Sequence, residues 1–164
     1  MSEEKKAANY LPLIALIAVA AIAGFAINYR VGGGKLVWMH YFMGILLCQF
    51  SLLKLFDIPG FADGFEMYDL IAKRSRIYAY AYPFIELILG LAFLSITWPI
   101  VTYSATVILM AVGSAGVMKA LNEGLDIDCP CMGSVLEVPL STVTLTEDLG
   151  MGFMALAMLI SRYV

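Results

Sequence analysis

A chain of 164 residues, 62% hydrophobic and 14% charged, with a mean hydropathy of +0.87, is too apolar for a soluble domain, whose apolar share is about 45–50%. Its net charge of −3 is small and it carries no basic run or nucleic-acid motif, which excludes nucleic acid as a partner. The solvent that suits it is membrane lipid.

Five segments approach the ~20 apolar residues of a spanning helix: 10–29, 36–56, 77–98, 99–121 and 148–164, the last being the shortest. The first follows Lys5 and Lys6, as a signal peptide would, but its length and its Ala/Ile/Leu composition through Ile27 predict a retained anchor. Gly32-Gly33-Gly34 then makes a flexible joint. The division expected is an anchor and joint over 1–35 and a four-helix membrane bundle over 36–164. The first span has no strongly polar residue before Asn28, whereas the next two carry His40, Gln49, Lys54 and Glu86.

Pro59-Gly60 opens the connection over 58–76, where aromatic and aliphatic residues interleave with Asp63, Glu66, Asp69 and Lys73. That mixture predicts a short amphipathic helix lying in the interface. Trp98-Pro99 predicts a tight turn, because proline starts a helix well and ends the one before it, so the helices on either side should form an antiparallel hairpin. After Leu121 comes a connection of about 25 residues, longer than compact folds usually keep without a purpose. Thr144-Leu-Thr-Glu147 reads as a capping box for the last helix, with Asp148 in its first turn.

That long connection holds Cys129-Pro130-Cys131, two of the three cysteines of the chain. Thiols one residue apart can close a small disulfide, exchange with a partner disulfide, or clamp a soft metal such as Cu(I), with Met132 as a third ligand. The small ring is strained, and strain raises the reduction potential, which suits exchange better than a permanent staple. Asp126 and Asp128 disfavour the thiolates by like charge and are also a harder ligand set for Zn2+. Thiol exchange requires no cofactor.

Glu86 is the one carboxylate well inside a predicted span, where burying a charge costs at least ~2.5–3.5 kcal/mol. It should be protonated or paired, and Lys54 on the preceding span is the expected partner, in a structural ion pair or in proton transfer during thiol exchange. Cys48 and Glu86 both lie about nine residues inward from the cysteine side, ~14 Å at the helical rise, so the two are placed to meet. Cys48 otherwise reads as a packing residue. His40 falls near the opposite end of its helix and reads as an interfacial hydrogen-bonding residue. The ten methionines lie mostly singly in apolar stretches and read as packing.

The block Phe50-Ser-Leu-Leu-Lys54-Leu-Phe56-Asp57-Ile-Pro-Gly60-Phe61, then Met67-Tyr68, Tyr82-Pro-Phe-Ile-Glu86-Leu-Ile-Leu-Gly90 and Cys129-Pro-Cys131-Met-Gly133 resembles the MauE/DoxX-like redox-associated membrane proteins. The stretch 138–148 is similar to a branch of that family linked to heavy-metal-associated domains. The resemblance implies an all-α membrane protein, a DoxX-like four-helix transmembrane bundle comparable in outline to DsbB-like and vitamin K epoxide reductase-like proteins. It also implies that the cysteine pair serves thiol–disulfide chemistry or the maturation of a partner. This chain departs by one extra N-terminal transmembrane helix and by lacking a second cysteine pair, so a complete electron relay to a quinone is not expected.

Counting five spans puts the cysteine connection on the same side as 58–76. Lys5, Lys6, Lys54, Lys73, Arg74, Arg76 and Lys119 would share that side, which the positive-inside rule makes cytoplasmic. The resemblance implies the periplasm, and the reading adopted is a bacterial inner-membrane protein with its cysteines facing the periplasm. The residues expected to carry exchange are Cys129, Cys131, Glu86 and Lys54, with Cys129, Cys131 and Met132 as the soft-metal set. Expected partners are membrane lipid and a thiol-bearing or metal-carrying protein. Soft-metal binding or transport and an accessory role in a larger membrane complex are the alternative functions.

Overall fold

The computed structural model describes residues 3–124 and 140–163, which form six helices and no strand. They are α1 Glu3–Val31, α2 Lys35–Leu55, α3 Ile58–Phe65, α4 Arg76–Leu94, α5 Pro99–Asn122 and α6 Leu140–Tyr163. Among the described residues four stretches are long and apolar enough to cross a membrane: Leu11–Val31, Lys35–Leu55, Arg76–Leu94 and Pro99–Asn122. The fifth expected span is not among these, because α6 starts at Leu140 and its first nine residues include serine, threonines, Glu147 and Asp148.

The most extensive pairings are α5 with α6, α2 with α4, and α1 with α2. Glycines set the spacing of the α2–α4 pair: a Cβ on Gly44 would lie 2.9 Å from the Gly90 carbonyl oxygen, and one on Gly90 would lie 3.1 Å from the Cys48 nitrogen. Small residues let apolar helices approach where lipid provides no hydrophobic drive to associate. Ser51 ties the pair further, donating from Oγ to the carbonyl of Pro83 at 2.7 Å. Pro83 sits inside α4 without an amide hydrogen of its own.

The helices joined at Trp98-Pro99 turn back on each other but touch far less than α2 and α4 do. The turn is tight: Ile96 and Trp98 adopt φ of +53° and +43°, and Pro99 opens α5. Each helix then finds its main partner elsewhere, so sequence adjacency sets the turn and not the packing.

α1 ends where Gly32 takes φ +69° and its amide donates to the Asn28 carbonyl, a left-handed helix stop that glycine adopts without strain. The helix lies on α2 through buried Ala20 and through Gly24, whose Cβ would meet the Phe42 nitrogen at 3.0 Å. Its other faces expose Ile14, Val19, Ile22 and Phe25. The bundle is likewise coated with exposed Ile77, Phe84, Ile88, Ile108, Phe153 and Ile160, a surface suited to acyl chains.

The connection over 58–76 forms the expected short helix, α3, and turns one side of it into the bundle. Asp57 caps α3 by accepting from the Gly60 amide at 3.0 Å, and Phe61, Ala62 and Phe65 are buried. Tyr68, Asp69 and Ala72 follow them inward, while Met67, Leu70 and Ile71 stay exposed. Gly116 of α5 makes room, since a Cβ there would lie 2.8 Å from the Tyr68 carbonyl oxygen. The segment is a plug in the bundle end.

Candidate functional site

Lys54 lies in the last turn of α2 and Glu86 near the middle of α4, and the α2–α4 contact brings them together. The ammonium donates to both carboxylate oxygens at 2.7 and 2.6 Å, with the side chains only 3% and 1% exposed. The rings of Phe61 and Tyr82 flank the ammonium at 5.6 and 5.1 Å, adding cation–π attraction in a water-poor place. Removing one partner of such a pair leaves an uncompensated charge, at a cost of about 3–5 kcal/mol.

The pair is not isolated. Lys54, Phe65, Tyr68, Tyr82, Glu147 and Asp148 line a cavity of about 10 Å3, space for roughly one water molecule. Gly113 of α5 lets α6 bring Asp148 into it: a Cβ at that position would lie 2.7 Å from Asp148 Oδ2. The cavity and the pair thus gather three carboxyl groups, Glu86, Glu147 and Asp148, around one ammonium. Ionising all three would leave two negative charges uncompensated in a low dielectric, so full ionisation of the cluster is costly.

Above it, Asp69 accepts from the amides of Ile71 and Ala72, each at 2.8 Å. Burial pushes its carboxyl above the ordinary aspartate value, against the pull of those two amides and of Lys73. Burial likewise pushes the Tyr68 phenol well up, so it stays a neutral donor.

Of the residues expected to act together, Lys54 and Glu86 meet. Cys48 does not join them: it packs on Gly90, one turn along α4 from Glu86, where a Cβ would lie 2.8 Å from its Sγ. His40 is buried, and hydrogen-bonded as expected: its Nε2 pairs with the Tyr103 hydroxyl, and Phe93 packs beside both rings. Cys129, Cys131 and Met132, with Asp126 and Asp128, lie outside the described residues. Among the described residues no three His, Cys, Asp or Glu side chains are grouped to hold a metal ion.

Sequence reasoning missed Glu147 and Asp148 by reading them as caps. The helix begins at Leu140, so both acids are in its interior. The signal was present in the register: Asp148, Met151, Ala155 and Met158 are spaced three and four apart and all are buried, so the apolar stripe of α6 runs back into the acid. Tyr68, Asp69 and Tyr82 were concealed for a different reason, since their burial depends on how the plug folds onto α5.

Residues 34–161 match the family model described as "Methylamine utilisation protein MauE". The chain belongs to the MauE family. The matched stretch contains Lys54, Glu86, Glu147 and Asp148 as well as Cys129 and Cys131, and leaves α1 outside. No curated protein and no solved structure matches this MauE-family chain.

Proposed function

We propose that this is an integral membrane thiol–disulfide exchange protein that matures a partner, using Cys129 and Cys131 as the reacting pair and the Lys54–Glu86 cluster as its proton-holding base. The observation that carries the reading is the buried excess of carboxyl groups around Lys54. It lies at the end of the bundle where α5 ends and α6 begins, the two helices that bracket the cysteine pair. Gly113 and Asp148 are nine and eight residues from Asn122 and Leu140, roughly 12–14 Å at the helical rise. Family membership supports the membrane setting, and the family's printed name associates it with methylamine utilisation.

In the oxidising direction a thiolate of the partner attacks the Cys129–Cys131 disulfide, forming a mixed disulfide and releasing one cysteine as thiolate. The partner's second thiolate then attacks the mixed disulfide and releases the other cysteine. The partner loses two electrons and two protons; Cys129 and Cys131 become a dithiol. Proton movement between the site and solvent is the task assigned to the buried carboxyls, and the proposed setting is the periplasmic face of a bacterial inner membrane.

The test is alkylation-trapped redox titration of the full chain in lipid nanodiscs, with a dithiol peptide as substrate. A single two-electron couple, lost in Cys129→Ser and in Cys131→Ser, is the expected result. Stoichiometric Cu(I) capture without peptide oxidation would replace this reading by soft-metal binding, and neither activity would leave an accessory role in a larger complex.

A further inference from the structure

A second cavity, of about 190 Å3, opens between α1, α2 and α6 and shares only Glu147 with the cluster used in the thiol reading. Its walls include Ile17 of α1, Phe42, Met43 and Phe50 of α2, and Met151 and Met154 of α6. Among the described residues one polar side chain enters this lining: Glu147, which also lines the small cavity beside Lys54. Its Oε2 is buried and has no hydrogen-bond partner among the described residues. A buried carboxyl oxygen without a partner forfeits the hydrogen bonds it made in water, so the position favours an occupant that supplies one.

The dimensions and the walls restrict that occupant. A dry cavity of ~150 Å3 holds benzene, so this one holds a ring with a substituent or two, too little for a phospholipid headgroup. Phe42, Phe50 and three methionine side chains favour an aromatic face, through ring–ring and sulfur–ring contacts. Ile17 is both a wall of the cavity and 41% exposed, so an apolar tail can leave along α1 into lipid. Glu147 asks for a hydroxyl, the group that donates to a carboxylate and accepts from a carboxylic acid alike.

We propose that this cavity binds the hydroxyl-bearing aromatic ring of a membrane-dissolved amphiphile, with the ring between α2 and α6 and the hydroxyl on Glu147. α1, which lies outside the family match, supplies the lipid-side wall. Occupation would place a polar ligand group against the carboxyl that separates the apolar cavity from the Lys54 cluster.

Equilibrium binding of radiolabelled 4-octylphenol to the full chain in nanodiscs, with empty nanodiscs as baseline, tests this. Octylbenzene has the same ring and tail without the hydroxyl. The expected result is saturable binding of one 4-octylphenol per chain, at least about tenfold tighter than octylbenzene. Glu147→Met should abolish that preference, and Met154→Trp should fill the cavity and abolish binding of both. Equal affinity of the two probes in the unsubstituted chain would mean a site for acyl chains and overturn the proposal, as would no binding above baseline or full binding to a folded Met154→Trp variant. Because the cysteines take no part in the measurement, its failure is distinguishable from failure of the thiol reading.

Discussion

The two ends of the bundle deal with buried polarity in opposite ways. At the end where α2 begins, the His40 imidazole and the Tyr103 hydroxyl share one hydrogen bond, and Phe93 packs against both rings. At the end where α2 finishes, an ammonium is paired with one carboxylate and has two further carboxyl groups nearby. The first arrangement is a polar tie between α2 and α5 that carries no net excess of acid, although His40 Nδ1 has no side-chain hydrogen-bond partner among the described residues. The second leaves acidic groups in excess, and excess buried acid is costly enough that a structural tie alone gives no reason for it.

The sharpest break in this comparison is at Lys54. Lys54→Met should destabilise the protein by about 3–5 kcal/mol because it leaves the carboxyls without their cation, and Glu86→Gln should cost less because Glu147 and Asp148 stay beside the ammonium. Thermal unfolding in detergent reads this, and the double variant should lose clearly less than the sum of the singles. Simple additivity would mean that the pair is not a unit.

Next comes the glycine that admits Asp148. Gly113→Ala forces a Cβ to within 2.7 Å of Asp148 Oδ2, and such overpacking costs about 1–3 kcal/mol. Restoring space with Asp148→Ala in the same chain should recover part of the loss; no recovery would place the damage elsewhere on α5. At the opposite end, Tyr103→Phe strips His40 Nε2 of its partner and should cost about 1–2 kcal/mol in the same unfolding assay, without altering thiol exchange. A change in exchange rate there would erase the contrast between the ends.

The smallest expected effect is a pH dependence at Asp69. Its carboxyl is raised in the folded state, so the native chain binds that proton more tightly than the unfolded chain does. Stability from this group is therefore greatest below the ordinary aspartate value of about 3.9 and declines as pH rises from there through the raised value. Asp69→Asn should flatten that part of the stability curve. Unfolding midpoints measured across the window would show it, and an unchanged slope would mean that another acid produces it.

The membrane setting, the helical class and the Lys54–Glu86 pairing were legible in the linear chain. Bilayer solvation demands long apolar runs, and a charge within one demands a partner, so these features are local or nearly so. Other features needed the third dimension. Glu147 and Asp148 look like caps until α6 is seen to start at Leu140, and their entry into the cluster requires the missing side chain of Gly113 on another helix. Tyr68 and Asp69 look interfacial until Gly116 admits their backbone to α5. The α4–α5 turn is written in Trp98-Pro99, yet each helix chose a different neighbour. Helix choice and depth depend on which small residues coincide across an interface, and that coincidence exists only after the helices have packed.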